Sequence, residues 1–369
     1  MINQQRGTDM RSLVQKVAVA VISTSLLGAS ATGAMAKDLK KVTYAIATAD
    51  LNVGYPFATL PKALGYFEDE GLDVSIVPGQ SSAATAQILL TGRADVGVAQ
   101  PDPVMIQRAN SRIPLVSFYA VSRRGTNVLI TRVDSPIQTI KDLKGKKAGV
   151  GDLGSGSITY LKSRLLQEGM SDKDVQLVTT GYGTPGFEAL KNGVVDFAVS
   201  FTGGVARMTV AGYNVRKLPR TEDELNQYSY NLFATEDYIK NNPDIIKGLG
   251  RATAKATIFL KNNPEAAVRA FWKYAPDRAP KDLNDPKAME RDLAILTAQI
   301  QDMGADELPD DFAWGSQETA VYDKIQKYLI DAGQIKTPAD PNIFFNNSFA
   351  SDYIDFDHKA IVDAAKAAK

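Results

Sequence analysis

The ten residues "LLTGRADVGV" at 89–98 are written a second time as "LKNGVVDFAV" at 190–199, with Leu, Gly, Asp and the closing Val in register. In each copy the Gly falls where a helix must end in a left-handed residue, and the apolar run after the Asp reads as a strand buried on both faces. Upstream the parallel continues. "VTYAIAT" (42–48) and "KKAGVGD" (146–152) read as opening strands, each followed by a helix closing at Gly65 or Gly169. "LDVSIVPG" (72–79) and "KDVQLVTTG" (173–181) read as second strands leading into a second helix. Each half is thus strand, helix, strand, helix, strand. That alternation argues for an α/β chain with two lobes, each a mostly parallel sheet flanked by helices.

In such sheets small molecules bind beyond the carboxyl ends of the strands, beside helix N-termini whose free N–H groups favour an acceptor or an anion. The loops at those edges are "TADLN" (48–52), "GQSSAAT" (79–85), "AQPDP" (99–103), "GDLGSGS" (151–157), "GYGTPG" (181–186) and "SFTGG" (200–204). They are small, hydroxylated and amide-rich, with few charges. Two lobes presenting them to each other enclose a cleft lined by hydrogen-bond donors, which is a receptor's surface. In "GDLGSGS" the glycines permit close approach and Ser155 and Ser157 offer hydroxyls. After Gly204 the pattern turns helical, with two Asn-Asn-Pro openings in 241–272, each an Asn cap followed by Pro in the first helical position. A later helix spans about 317–332 and ends at Gly333. These segments read as packing, with Trp314 the one candidate exception.

Hydrophobic content is 44% and charge is balanced, 42 basic against 42 acidic residues. No net basic field exists to hold nucleic acid or an anionic membrane, and the run "KDLKGKK" (141–147) reads as a solvated turn. Residues 1–36 differ in kind: Arg6, Arg11 and Lys16 precede an apolar stretch, and Ala34-Met35-Ala36 supplies a small-residue cleavage site, so a cleaved signal peptide is expected. A membrane anchor would need about 20 strongly apolar residues, and Ser, Thr and Gly dilute this stretch. With no cysteine there is no disulfide, no thiolate metal site and no lipoprotein anchor. The expected address is a periplasm, as a soluble monomer that begins near Lys37. Catalysis finds little support. The sole histidine, His358, is far in sequence from every strand-end loop, "GDLGSGS" lacks the Lys-Ser/Thr of a P-loop, and its glycine spacing departs from the dinucleotide fingerprint. Asp310 and Asp311 read as a polar loop. Neither cofactor nor metal is expected.

The order "LPKALGYFEDEGLDVSIVPG", "LLTGRADVGVAQP", "IQTIKDLKGKKAGVGDLGSGS", "LKNGVVDFAVS", "NNPDIIKGLGRATAKATIFLKNNPEAA" resembles the solute-binding proteins of nitrate, sulfonate and taurine ABC importers. Pyrimidine-precursor-binding proteins belong to the same superfamily. The resemblance implies a periplasmic binding protein of the second structural type. Lobe one would take 38–124 and 222–369, lobe two 125–221, with hinges near 122–125 and 217–220. It also implies a small-molecule solute, a permease with its ATPase as partners, and ligand contacts from the strand-end loops. Those are Ala49, Asp50, Asn52, Ser81, Ser82, Gln100 and Asp102 from lobe one, and Ser155, Gly156, Ser157, Tyr182 and Thr202 from lobe two. One of Arg123 and Arg124, just after the apolar run "IPLVSFYAV" (113–121), is a candidate to hold an anion from the hinge, two exposed arginines or an interlobe ion pair being the competing reading. A sulfonate, a taurine-like zwitterion or another organic anion is the favoured solute. A pyrimidine-precursor binder is the alternative, or a pyrimidine synthase, although the histidine and cysteine-rich motif of those enzymes have no counterpart here.

Overall fold

Ten strands, among the residues described, divide into two five-stranded sheets. The computed structural model describes residues 38–48, 51–153 and 156–369. The expected signal peptide, Ala49, Asp50 and Ser155 therefore lie outside the described residues. The strands are β1 (Lys40–Ile46), β2 (Leu72–Pro78), β3 (Val96–Ala99), β4 (Leu115–Ser122), β5 (Asn127–Arg132), β6 (Lys147–Val150), β7 (Gln176–Thr179), β8 (Phe197–Phe201), β9 (Val215–Lys217) and β10 (Tyr230–Thr235). The first sheet runs β2-β1-β3-β10-β4 and the second β7-β6-β8-β5-β9.

The two orders are one topology written twice. In each sheet three strands pair in parallel, β1 with β2 and β3, and β6 with β7 and β8. A fourth strand enters antiparallel, β10 in the first sheet and β5 in the second, and a last strand pairs with it. Four strands of each sheet thus point one way, but the sheets are mixed rather than parallel throughout. The antiparallel strands are exchanged: the chain leaves β4 for β5 in the other sheet and returns from β9 to β10.

The repeated ten residues do the same work in both halves. Gly92 and Gly193 hold left-handed φ of 68° and 71° and end helices Ser82–Leu90 and Thr184–Lys191. Three residues on, Asp95 accepts the Thr43 backbone N–H at 2.7 Å and Asp196 accepts that of Lys147 at 2.8 Å. Each aspartate's own N–H bonds back to the same residue's carbonyl at 2.9 Å. The aspartate therefore clamps the third strand beside the first.

Burial on both faces explains the unbroken apolar runs. In the second sheet Leu129, Phe197 and Val199 join a core on one face, and Val128, Ile130 and Ala198 join a core on the other. Every residue of β4 is buried. Of the two Asn-Pro openings only the second caps as expected, Asn263 Oδ1 accepting from Ala266 N at 3.0 Å. Asn242 also ends the preceding helix, Glu236–Asn241, and its amide donates backward to the Tyr238 carbonyl at 3.0 Å. Trp314 is core, 3% exposed, its indole N–H donating to Asp310 O at 3.0 Å.

The two crossings are bonded to one another. Arg220 Nη1 donates to Gly125 O at 2.6 Å, Ser229 Oγ donates to Arg124 O at 2.6 Å, and Gly125 N donates to Leu225 O at 3.2 Å. A side chain at position 125 would put Cβ 2.0 Å from the Glu224 carbonyl, so only glycine fits that approach.

Candidate functional site

A cleft of about 490 Å³ lies between the two sheets, lined from both. That volume suits a small organic solute. From the first sheet's side come Asn52, Tyr55, Gln80, Ser81, Ser82, Gln100 and Tyr230; from the second come Thr126, Gly151, Asp152, Tyr182, Gly183, Phe201 and Arg207. Ile295 and Gln299 reach in from the helix Pro286–Met303. The carboxyl ends of the parallel strands and the starts of the antiparallel ones meet at this edge.

Several expected residues are there for local reasons. Ser81 caps helix Ser82–Leu90, its Oγ accepting from Ala84 N at 3.2 Å, and Ser82 Oγ accepts from Gln100 N at 3.1 Å. The second bond ties the loop after β2 to the loop after β3. Just ahead of both serines Gln80 holds a left-handed φ of 65°, a conformation that a long side chain adopts only at a cost and that clusters at ligand clamps. Gly156, which opens the helix Gly156–Gln167, and Ser157 are not among the described residues that line the cleft. Ser157 is fully buried, its Oγ 3.4 Å from the Tyr182 hydroxyl, so it supports that ring from behind the cleft wall. The approach that "GDLGSGS" permits is an internal one: a Cβ at Gly151 would stand 2.0 Å from Tyr182 Cζ. Tyr182 in turn lies 5.2 Å from the Phe201 ring.

Four more expected residues lie elsewhere. Asp102 is buried behind Gln100 in a separate cavity of about 20 Å³. Burial pushes its carboxyl up to about 6, against the pull of Tyr328 and its own backbone. Thr202 donates its hydroxyl to Asp302 and faces a neighbouring cavity. Neither arginine of the first crossing lines the cleft. Arg123 donates to Ser316 O at 2.8 Å and Glu318 Oε1 at 2.7 Å, with its guanidinium 4.8 Å from the Phe312 ring centre and 5.5 Å from that of Tyr228. Arg124 pairs with Asp306 and Glu307. Carboxylates and ring faces of the C-terminal segment thus occupy both guanidiniums.

The cation that does line the cleft is Arg207, on the helix Thr202–Val210. Its guanidinium stands where a Cβ on Gly183 would approach to 2.7 Å, and among the described residues no carboxylate pairs with it. Its position was readable. Arg207 follows the cleft residues Gly203 and Gly204 by one helical turn, so all three share a face. Tyr55, Tyr230 and Gln299 had no comparable signal. Gln299 is 7% exposed, and its Oε1 has no partner among the described residues. The Thr126 hydroxyl is buried and likewise unpartnered. Both are polar atoms that a bound solute can satisfy.

Two mixed sheets facing a solute-sized cleft make the fold of periplasmic binding proteins. The chain belongs to the NMT1/THI5-like family, whose signature matches residues 58–267, more than half of its length. It is similar to the 4-amino-5-hydroxymethyl-2-methylpyrimidine phosphate synthase of Schizosaccharomyces pombe, 25% identical over 234 residues that make up 58% of this chain and 63% of that enzyme. It therefore spans less than two thirds of that relative. It is also similar to the riboflavin-binding protein RibY of Chloroflexus aurantiacus, 20% identical over 316 residues, 84% of this chain and 86% of that one. Among solved structures, the alkanesulfonate-binding protein SsuA of Xanthomonas axonopodis pv. citri bound to MOPS matches with a TM-score of 0.63 at 15% identity, covering 84% of this chain and 99% of that one. That last likeness is one of fold.

Proposed function

We propose that this protein is the periplasmic solute-binding component of an ABC importer, which captures a small organic solute in the interlobe cleft and hands it to a permease driven by an ATPase. The observation that carries this reading is the lining itself: aromatic rings from both lobes (Tyr55, Tyr182, Phe201, Tyr230), uncharged amides and hydroxyls, the carboxylate of Asp152, and the single cation Arg207 among the described residues. Rings offer flat faces to a planar solute, and Arg207 offers a fork to a carboxylate, sulfonate or phosphate. A solute that joins a ring to an anionic group suits that lining, the ring meeting the aromatic faces and the anion Arg207. The names of the similar proteins mention an aminopyrimidine phosphate, riboflavin and MOPS, of which the first two have a planar ring and the first and third an anionic group. On this reading residues 1–36 are removed on export, the mature chain is a monomer, the lobes are 38–124 with 222–369 and 125–221, and binding closes them about the two crossings.

The synthase reading is the second, favoured by the Schizosaccharomyces relative. Against it stands the chemistry at hand. The chain has no cysteine, and its one histidine bonds to Ile354 O at 2.9 Å beside Phe356, outside the cleft lining.

The test is a thermal-shift panel of aminopyrimidines and their phosphates, aromatic and aliphatic sulfonates, aromatic carboxylates and riboflavin, followed by calorimetry on the best solute. A charge-assisted hydrogen bond contributes about 1.5–3 kcal/mol, so Arg207→Ala lowers affinity for an anionic solute by roughly ten- to a hundredfold and leaves the unliganded melting temperature in place. No stabilisation by any panel member, or turnover of a pyrimidine precursor, overturns the receptor reading.

A further inference from the structure

Between the cleft and the crossings runs a seam in which helix Pro286–Met303 of the first lobe lies against helix Thr202–Val210 of the second. Ile295, Gln299 and Asp302, spaced by four and three residues, share the seam face. The first two look into the cleft and the third into a second cavity of about 600 Å³ beside the crossings. Asp302 is 4% exposed, and its carboxylate accepts the Thr202 hydroxyl across the seam. Its backbone carbonyl accepts Arg124 N at 2.9 Å on the first crossing, while Thr202 N donates to Thr126 O at 3.0 Å on the other side. One buried carboxyl therefore sits where both lobes and a crossing meet.

We propose that the Thr202–Asp302 contact is a proton-operated latch between the lobes, in which protonation of Asp302 favours the docked seam and ionisation favours its separation. The groups facing Asp302 are Thr202 from the opposing helix, Arg124 from the first crossing, Lys217 and Arg220 from the segment that opens the second, and the Tyr230 hydroxyl from β10. Asp306 and Glu222 line the same cavity, and Asp306 shares Arg124 with Glu307. Docking strips water from the carboxyl and leaves it one hydroxyl as partner. Separation returns water to the carboxyl, which favours its charged form. In the docked state burial pushes the carboxyl up to about 7, with Thr202, Arg220, Arg124 and Lys217 pulling the other way. Separated, it returns toward its ordinary value of 3.8. The docked state therefore holds the proton more tightly. Docking is favoured at low pH and weakens as pH rises to about 7, by up to tenfold per pH unit in the docked-to-separated ratio, then levels off.

The latch rests on the two-lobed reading but not on any solute, so it is tested on the ligand-free mature protein. Small-angle scattering from pH 5 to 8 is expected to show the radius of gyration rising toward pH 7. Asp302→Asn keeps a partner for Thr202 and is expected to stay compact throughout, whereas Thr202→Val is expected to be expanded even at pH 5. Carbon NMR of labelled aspartate carboxyls reads the same group directly, with one resonance lost in Asp302→Asn and titrating well above the ordinary range. Asp102 also titrates within this interval, so comparison with the Asp302→Asn variant isolates the latch. An unchanged radius in the wild type, an equal pH response in Asp302→Asn, or a resonance with its midpoint near 4 overturns the proposal. A solute panel that finds no ligand leaves each of these readouts intact.

Discussion

Replacing Asp95 or Asp196 with alanine tests whether the two lobes are built alike. Each carboxylate accepts one backbone N–H of the first parallel strand of its sheet, at 2.7 and 2.8 Å. A hydrogen bond to a charged acceptor contributes about 1.5–3 kcal/mol. Both side chains are partly exposed, which places the cost near the lower end of that range and gives a fall of about 2–4 °C in melting temperature. The residues lie in different sheets and share no partner, so the double variant should lose the sum of the single losses. Asparagine, which keeps a neutral acceptor at the same place, should recover about half. Scanning calorimetry on the alanine and asparagine variants measures this. An alanine variant that melts with the wild type, or a threefold disparity between the two sites, would refute the claim that the repeated aspartate does one structural job twice.

Gly151→Ala puts a Cβ 2.0 Å from Tyr182 Cζ; the ring leaves Phe201, and calorimetry with the best panel solute should show at least a tenfold loss of affinity, with near-ultraviolet dichroism altered and the chain still folded. Gly250→Ala puts a Cβ 2.0 Å from the Tyr353 ring, whose hydroxyl donates to Phe118 O at 2.9 Å in the first core. Overpacking there should cost about 1–3 kcal/mol or more in a urea titration, with no direct effect on the cleft. Glu70 is half-buried, and although burial raises its carboxyl, bonds from Arg251 at 2.8 Å and Lys255 at 2.6 Å prevail and hold it below its ordinary 4.5. A depressed folded value means stability that is present above about pH 4.5 and lost as pH falls through the folded value. Glu70→Gln should therefore melt lower at pH 7 yet lose less than the wild type between pH 5 and 3.

The parts of this fold that sequence reveals are those whose partners are near in the chain. Gly92 and Gly193 are dictated by the turn they occupy, and the strand-end loops place Asn52, Ser81, Gln100 and Tyr182 at the cleft whatever the solute. Strand exchange was hidden because the run "IPLVSFYAV" looks like any buried strand, and its neighbour β10 lies more than a hundred residues on. Arg123 and Arg124 show the same limit. Two adjacent arginines after a strand suggest an anion site until Asp306, Glu307 and Glu318, far along the chain, arrive to pair with them. Arg207 was legible from its spacing but overlooked: the loop "SFTGG" drew attention to the start of a helix, and the cation stands one turn further along it.

Strand exchange also explains why the cleft and the crossings share residues. An antiparallel strand begins at the edge where its parallel neighbours end, so β5 and β10 both start at the cleft. Thr126, just ahead of β5, and Tyr230, first in β10, therefore belong to the crossings and to the solute wall at once. Thr126 O also receives Thr202 N, which leads into the Asp302 seam. A substitution at either position disturbs the crossing as well as the solute. Tyr182 and Gly183 lie on the loop after β7, away from both crossings, and Arg207 lies within a helix of the second lobe. On the proposed reading, those positions are where solute preference can change while the connection between the lobes stays as it is.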